Sequence, residues 1–186
     1  LESFLTKKLR WATLGGQYDW TAKVYPTGPT PTFPPDITKF LETLFPAMKA
    51  EAAILNLYSP GDVLSMHRDV AEESDKGLIS ISIGCDAVFV IGLGQDHTDE
   101  TSNGTVPDDV EPRSPLVIRL RSGDAVFMGG KSRFAWHGVP KIIPNTCPDH
   151  LKDWPASEED KSCDYKQWKG WMTNKRINLN VRQMWD

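Results

Sequence analysis

Polar and apolar positions along this chain follow two different periods. "DITKFLETLFPAMK" carries Ile37, Phe40, Leu41 and Leu44 at helical spacing behind Asp36, a side chain suited to capping a helix. The spacing predicts a helix over 36–50, with Pro46 unsettling its last turn. From Ala52 onward the period drops to two. "AAILNLYS", "LISISIG", "AVFVIGL", "LVIRLRSG", "DAVFMGG", "RFAWHGV" and "RINLNVRQ" are short, β-rich and bounded by Gly, Pro or Asp. Such a succession predicts a mainly β fold, a barrel or sandwich with the N-terminal helix beside it.

Ahead of the helix, "LRWATLGGQYDWTAKVYP" and the proline-rich "PTGPTPTFPPD" read as a loop or lid over residues 1–35, because proline disfavours a sheet interior. Polar insertions at 95–114 and 144–173 interrupt the β core expected at 52–183. The second holds Trp154, Trp168 and Trp171, which either shape substrate choice or pack the insertion onto the body. With 186 residues and neither a repeat nor a linker-like stretch, the pattern predicts one domain.

Composition narrows the function by exclusion. Cys85, Cys147 and Cys163 are odd in number and lack CxxC spacing, which argues against a disulfide framework or a zinc ribbon and for a reducing setting. No apolar run approaches the roughly 18 residues of a membrane-spanning helix. A net charge of −4 does not describe a protein held on nucleic acid by bulk charge alone. Base nevertheless collects in "TKKLR", "VIRLR", "GGKSR" and "NKRINLNVR", compatible with a basic groove or with ordinary solvated charge.

The candidate chemistry begins at "SPGDVLSMHRDV". His67 and Asp69 stand two apart, and in an extended strand residues i and i+2 share a face. A surface His–Asp hydrogen bond is the bland alternative. Of the other histidines, His97 and His150 fall in the polar insertions, whereas His137 closes the strand-like "RFAWH". Two histidines and one carboxylate match the facial triad that holds non-haem Fe(II) and leaves positions open.

In "RINLNVRQ", Arg176, Asn178, Asn180 and Arg182 alternate with Ile177, Leu179 and Val181, and either set could face inward. Turned inward, two arginines with Cα atoms roughly 20 Å apart leave room for a short dicarboxylate. The guanidinium fork matches a carboxylate bidentately. Asn56 and Tyr58 share one face of "ILNLYSPG" and could complete that pocket. A metal triad with a dicarboxylate clamp points to Fe(II) and 2-oxoglutarate.

Taken in order, "LNLYSPGDVLSMHRD", "LISISIGCDAVFVIG", "SGDAVFMGGKSRFAWHGV" and "RINLNVRQ" resemble the AlkB family of 2-oxoglutarate dioxygenases. "LRWATLGGQYDW" and "PDITKFLETLF" are similar to its eukaryotic branch, typified by the first-numbered animal homologue. The resemblance implies a double-stranded β-helix, or jelly roll. It also implies Fe(II)/2-oxoglutarate-dependent oxidative demethylation that consumes O2 and releases succinate, CO2 and formaldehyde.

Residue by residue, the resemblance implies His67, Asp69 and His137 as iron ligands. Asn56, Tyr58, Arg176, Asn178 and Arg182 become the 2-oxoglutarate contacts, with Arg176 at the distal carboxylate and Arg182 near the chelating end. Trp11 and Tyr18 match the family's substrate lid. Where the bacterial repair enzyme carries an acid two places after the metal aspartate, this chain has Ala71, with Glu72 next to it as a candidate substitute.

The implied partner is DNA and/or RNA presenting a flipped or unpaired base, with methyladenine in DNA or tRNA as the first expectation. Lys7, Lys8, Arg10, Lys131 and Arg133 are candidate phosphate contacts. A monomer is expected, located in the nucleus, with mitochondrion or cytoplasm as alternatives. Two rival readings stay open: a protein (histone) demethylase or hydroxylase of the same chemistry, and a non-catalytic nucleic-acid-binding relative.

Overall fold

The structure, a computed structural model, describes residues 4, 8–19, 21–26, 28–92, 114–156 and 165–185. Lys7, His97, Cys163 and nearly all of the 95–114 insertion lie outside the described residues. In chain order the elements are β1 (Trp11–Gly15), α1 (Pro35–Leu44), β2 (Ala52–Tyr58), β3 (Leu64–His67), β4 (Leu78–Gly84) and β5 (Ala87–Gly92). They continue with β6 (Leu116–Leu120), β7 (Ala125–Met128), β8 (Trp136–Ile142) and β9 (Arg176–Arg182). The described part of the 144–173 insertion carries short 3-10 turns and no strand.

The strands form two sheets, ordered β1-β2-β9-β4-β7 and β3-β8-β5-β6, with every pairing antiparallel: the jelly roll expected from the sequence. One apolar cluster joins the sheets through Leu57, Leu78, Phe89, Leu120, Met128, Val139 and Ile142. A second lies between the larger sheet and α1, where Leu41, Ile79, Leu179 and Val181 meet Phe33 and Met48. This second cluster resolves the alternation on β9. Leu179 and Val181 turn under the helix, so Arg176, Asn178, Asn180 and Arg182 turn into the sandwich. All seven residues of β9 are buried, which an exposed-sheet reading of its polar face would not allow.

The expectations for the helix and for the lid need correction. The helix ends at Leu44 rather than at 50: Phe45 precedes Pro46 and leaves the helical region, at φ −131° and ψ 70°. It starts on Pro34 and Pro35 without a side-chain cap, and Asp36 sits in its first turn. Only Leu41 of the expected face is fully buried; Ile37 packs beside it, while Phe40 and Leu44 face solvent. The segment 1–35 is not wholly a lid either. Trp11–Gly15 is an edge strand in register with β2, Trp11 opposite Asn56, so the sheet begins well before Ala52.

Gly84 and Gly138 let the strands approach where the site is built. Gly84 takes φ +91°, and a Cβ there would meet the Lys175 carbonyl oxygen at 2.3 Å. At Gly138, beside His137, a Cβ would lie 2.9 Å from the Leu64 carbonyl oxygen where β3 crosses close to β8. The β3–β8 register shifts between Leu64 and His67, a bulge that re-aims the end of β3.

Candidate metal centre

His67 and His137 stand directly opposite one another on β3 and β8, with ring centroids 4.4 Å apart. Asp69 follows just past the end of β3. One ligand atom from each of the three comes within 4.8 Å of the others, as a single bound cation requires. The Nδ1 of His67 lies 2.9 Å from the Ser65 carbonyl oxygen, and that of His137 lies 3.0 Å from the Ala135 oxygen. A carbonyl only accepts, so each Nδ1 carries the proton and each Nε2 is left as the ligand atom.

The chemistry of this donor set calls for a cation. His137 Nε2 faces Asp69 Oδ2 at 3.5 Å, and two lone pairs repel unless a proton or a metal lies between them. Asp69 Oδ2 is buried and accepts no hydrogen bond among the described residues, an expensive state for a carboxylate oxygen without a ligand. Burial works to raise the Asp69 carboxyl, but His137 and then the charge of Arg182 outweigh it and hold the group well below the usual carboxylate range. Asp69 is ionised, and the three side chains are poised for a divalent metal. Fe(II) fits them.

A dicarboxylate fits the neighbouring strand face. Arg176 is 1% exposed; its Nη2 donates to Ser82 Oγ at 2.9 Å, while Nε and Nη1 find no acceptor among the described residues. Its guanidinium carbon lies 5.5 Å from the Tyr58 ring centroid, and the Tyr58 hydroxyl is likewise buried without a partner. Burial pushes the Tyr58 phenol up and works against the charge on Arg176. A buried cation with no carboxylate in reach is destabilising until an anion arrives. Asn178 is fastened between Ser80 Oγ at 2.7 Å and the Ile81 carbonyl at 3.1 Å, and the β2–β9 register sets Asn56 opposite it.

At the other end of β9, Arg182 is already engaged. Its Nη2 donates to Asp69 Oδ1 at 2.7 Å, and its Nε lies 2.8 Å from Glu72 Oε1. Glu72 Oε2 in turn accepts from Arg133 at 2.9 Å, and Arg133 also donates to the Asp69 and Lys76 carbonyl oxygens. This chain of alternating charge, almost wholly buried, fixes a metal ligand from behind.

The buried network overturns one assignment made from the sequence. Arg133 is not a phosphate contact: it is 2% exposed and its guanidinium is spent inside the protein. Glu72 lines the cavity beside the triad, with Oε2 accepting from Arg133 and Oε1 ion-paired with Arg182. Of the other proposed phosphate contacts, Arg10 is ion-paired with Asp62, while Lys8 and Lys131 are exposed.

A cavity of about 250 Å³ opens beside the triad, walled by Tyr18, Tyr25, Asn56, His67, Asp69, Asn180 and Arg182, with Arg68 also in its lining. Arg176 and Tyr58 are not in that wall. Tyr18 meets Tyr25 edge-on at 5.3 Å. Sequence reasoning gave no role to three residues here. Asn180, already on the polar face of β9 by the period of two, shares the inward face with Arg176, Asn178 and Arg182, and its buried Oδ1 lacks a partner among the described residues. Tyr25, whose phenol burial pushes up despite the pull of Arg182, comes from a loop that carries no pattern. Arg68 is exposed and sits between two ligands.

Comparison with known proteins agrees with this geometry. A profile described as the 2OG-Fe(II) oxygenase superfamily matches residues 1–182. The N6-methyladenosine RNA demethylase ALKBH of Cryphonectria parasitica is 54% identical over 186 residues, covering all of this chain and 80% of that protein. The N6-methyladenosine RNA demethylase ALKB1 of Pyricularia oryzae is 53% identical over 187 residues, 99% of this chain but 50% of the relative, so the chain spans about half that protein's length. Among solved structures, that of OsALKBH1 superposes with a TM-score of 0.67 over 93% of this chain and 77% of that one at 22% identity, a likeness of fold.

Proposed function

This chain belongs to the AlkB family of 2OG-Fe(II) oxygenases, and on that premise we propose that it oxidatively demethylates N-methylated adenine in nucleic acid, RNA foremost. The reading rests on one observation above all: a two-histidine, one-aspartate triad whose His67 and Asp69 line a cavity of about 250 Å³, in a fold that also buries Arg176 with Nε and Nη1 lacking an acceptor among the described residues. RNA stands first because two relatives more than half identical to this chain are named as N6-methyladenosine RNA demethylases.

Fe(II), bound with 2-oxoglutarate and O2, supplies the oxidising power that converts an N-methyl group to N-hydroxymethyl, which then loses formaldehyde, with succinate and CO2 as co-products. The chain's own residues bind, orient and enclose. His67, Asp69 and His137 hold the metal through two Nε2 atoms and a carboxylate. Arg176 takes the distal carboxylate of 2-oxoglutarate through its free Nε and Nη1, and the Tyr58 hydroxyl donates to the same group. Asn178 and Asn56 line the strand face between that carboxylate and the triad. Arg182 keeps Asp69 ionised and aimed, with Nη1 still free toward the chelating end. A base inside a duplex cannot enter the cavity, so the substrate nucleotide is unpaired or flipped, its ring held against Tyr18, Tyr25 and Asn180.

The test is a turnover panel with Fe(II), 2-oxoglutarate and O2, in which mass spectrometry follows base and succinate together. The substrates are 6-methyladenine in single-stranded RNA, in single-stranded DNA and in duplexes, a methylated tRNA stem-loop, and a methylated histone peptide. Methyl loss from unpaired RNA, matched by succinate, is the expected result. Succinate formed only with the peptide would overturn the nucleic-acid reading.

A further inference from the structure

The pattern HRD sets an arginine between two metal ligands, and β8 sets a tryptophan immediately before the third. His67 and His137 are directly opposed; of their chain neighbours, Arg68 comes directly after β3 and Trp136 opens β8. These two meet: the Arg68 guanidinium carbon lies 5.4 Å from the Trp136 ring centroid. Trp136 is 43% exposed and Arg68 is exposed, yet Arg68 also lines the cavity beside the triad.

Charge elsewhere around the site is already used. Arg133 and Arg182 are neutralised by Glu72 and Asp69, and Arg10 by Asp62. Arg176 is sealed inside the sandwich. Among the described residues lining the cavity, Arg68 is the one cation without an anionic partner. A nucleotide whose base fills the cavity leaves its phosphates at the rim, where a fixed cation is the chemistry that would hold them.

We propose that Arg68, steadied on the face of Trp136, binds the backbone phosphate adjoining the methylated nucleotide and so selects a polynucleotide over a free nucleoside. This rests on the nucleic-acid reading above. Arg68 is the phosphate contact; Trp136 is a positioning residue that holds the guanidinium in place and reduces the ordering cost of binding. The cation that Arg133 cannot present is thereby supplied from the strand end that carries His67.

Binding of a single-stranded oligoribonucleotide containing 6-methyladenine is measured with Mn(II) in place of iron, at salt concentrations from about 50 to 200 mM. One phosphate contact on a single strand contributes about 0.7 to the slope of log K against log salt. Arg68→Ala is expected to lower the slope by about that amount. Arg68→Lys should keep the slope, Trp136→Phe should keep most of the affinity, and Trp136→Ala should weaken binding. Mn(II) affinity and binding of the free 6-methyladenosine nucleoside should match wild type in Arg68→Ala. A wild-type slope in Arg68→Ala overturns the proposal, as does a lowered slope accompanied by equal loss of Mn(II). If the wild-type protein itself binds no oligonucleotide, the nucleic-acid reading fails instead; binding by wild type with no effect of Arg68→Ala fails only the phosphate contact.

Discussion

Arg182 and Asp69 are joined by a buried charge-assisted hydrogen bond of 2.7 Å between Nη2 and Oδ1, although 113 positions separate them in the chain. It ties the central strand of the larger sheet to the loop that carries a metal ligand. The triad is therefore held by strand pairing on one side, through His67 and His137, and by an ion pair on the other.

The acid limb of stability should reveal this pair. Asp69 ionises more readily in the folded protein than in the unfolded chain, so its contribution is complete above the unfolded carboxyl pKa of about 3.9 and is lost as pH falls through the lower folded value. In metal-free protein, Asp69→Asn is expected to lower stability at neutral pH and to flatten its decline below about pH 4. Urea denaturation across a pH series measures both. Parallel curves for the two proteins would remove Asp69 from the account of acid sensitivity.

Glu72 is expected to matter for stability before it matters for catalysis. Glu72→Ala leaves Arg133 and Arg182 buried around a missing charge, at a cost of about 3–5 kcal/mol by the usual penalty for breaking a buried pair. Chemical denaturation of the variant should show that loss. A stability within about 0.5 kcal/mol of wild type, the range for ordinary surface substitutions, would mean the network is not formed.

Much of this site was legible in the chain because strands impose a period of two. His67, His137, Asn56 with Tyr58, and the polar face of β9 all came from alternation, and the register of β2 on β9 brings the last two together. Alternation could not decide which face of β9 was inward; that depended on α1 covering Leu179 and Val181, a packing fact with no local signal. The helix face was misjudged at Phe40 and Leu44 for the same reason. The burial of Arg133, expected as a phosphate contact, and of the Glu72 side chain was not legible because nothing in "GGKSR" or "VAEES" reports it. Their partners, Arg182 and the Asp69 carbonyl, are distant in sequence.

Arg176→Lys should separate 2-oxoglutarate binding from metal binding. A lysine keeps the charge but loses the planar fork, and a charge-assisted bond of about 1.5–3 kcal/mol corresponds to a rise of roughly 10- to 100-fold in the KM for 2-oxoglutarate. Metal affinity should stay at the wild-type value. Steady-state kinetics at varied 2-oxoglutarate, with a parallel metal titration, checks both. An unchanged KM would take Arg176 out of the cosubstrate pocket.

Trp11 stands half exposed at the start of β1, opposite Asn56 on the neighbouring strand. Trp11→Ala is expected to reduce turnover of the methylated oligonucleotide roughly 5- to 150-fold, as loss of a stacking surface of about 1–3 kcal/mol does, while sparing 2-oxoglutarate affinity. Equal loss of both would make Trp11 a packing residue of the sheet edge.

The most direct measurement is a calorimetric titration of 2-oxoglutarate into the protein with and without Mn(II), in wild type and in Asp69→Ala. The account predicts tight binding in wild type only when the metal is present, and no metal-dependent gain in Asp69→Ala. Equal 2-oxoglutarate binding by both proteins, or a wild-type affinity indifferent to Mn(II), would contradict a single centre built from His67, Asp69, His137 and Arg176.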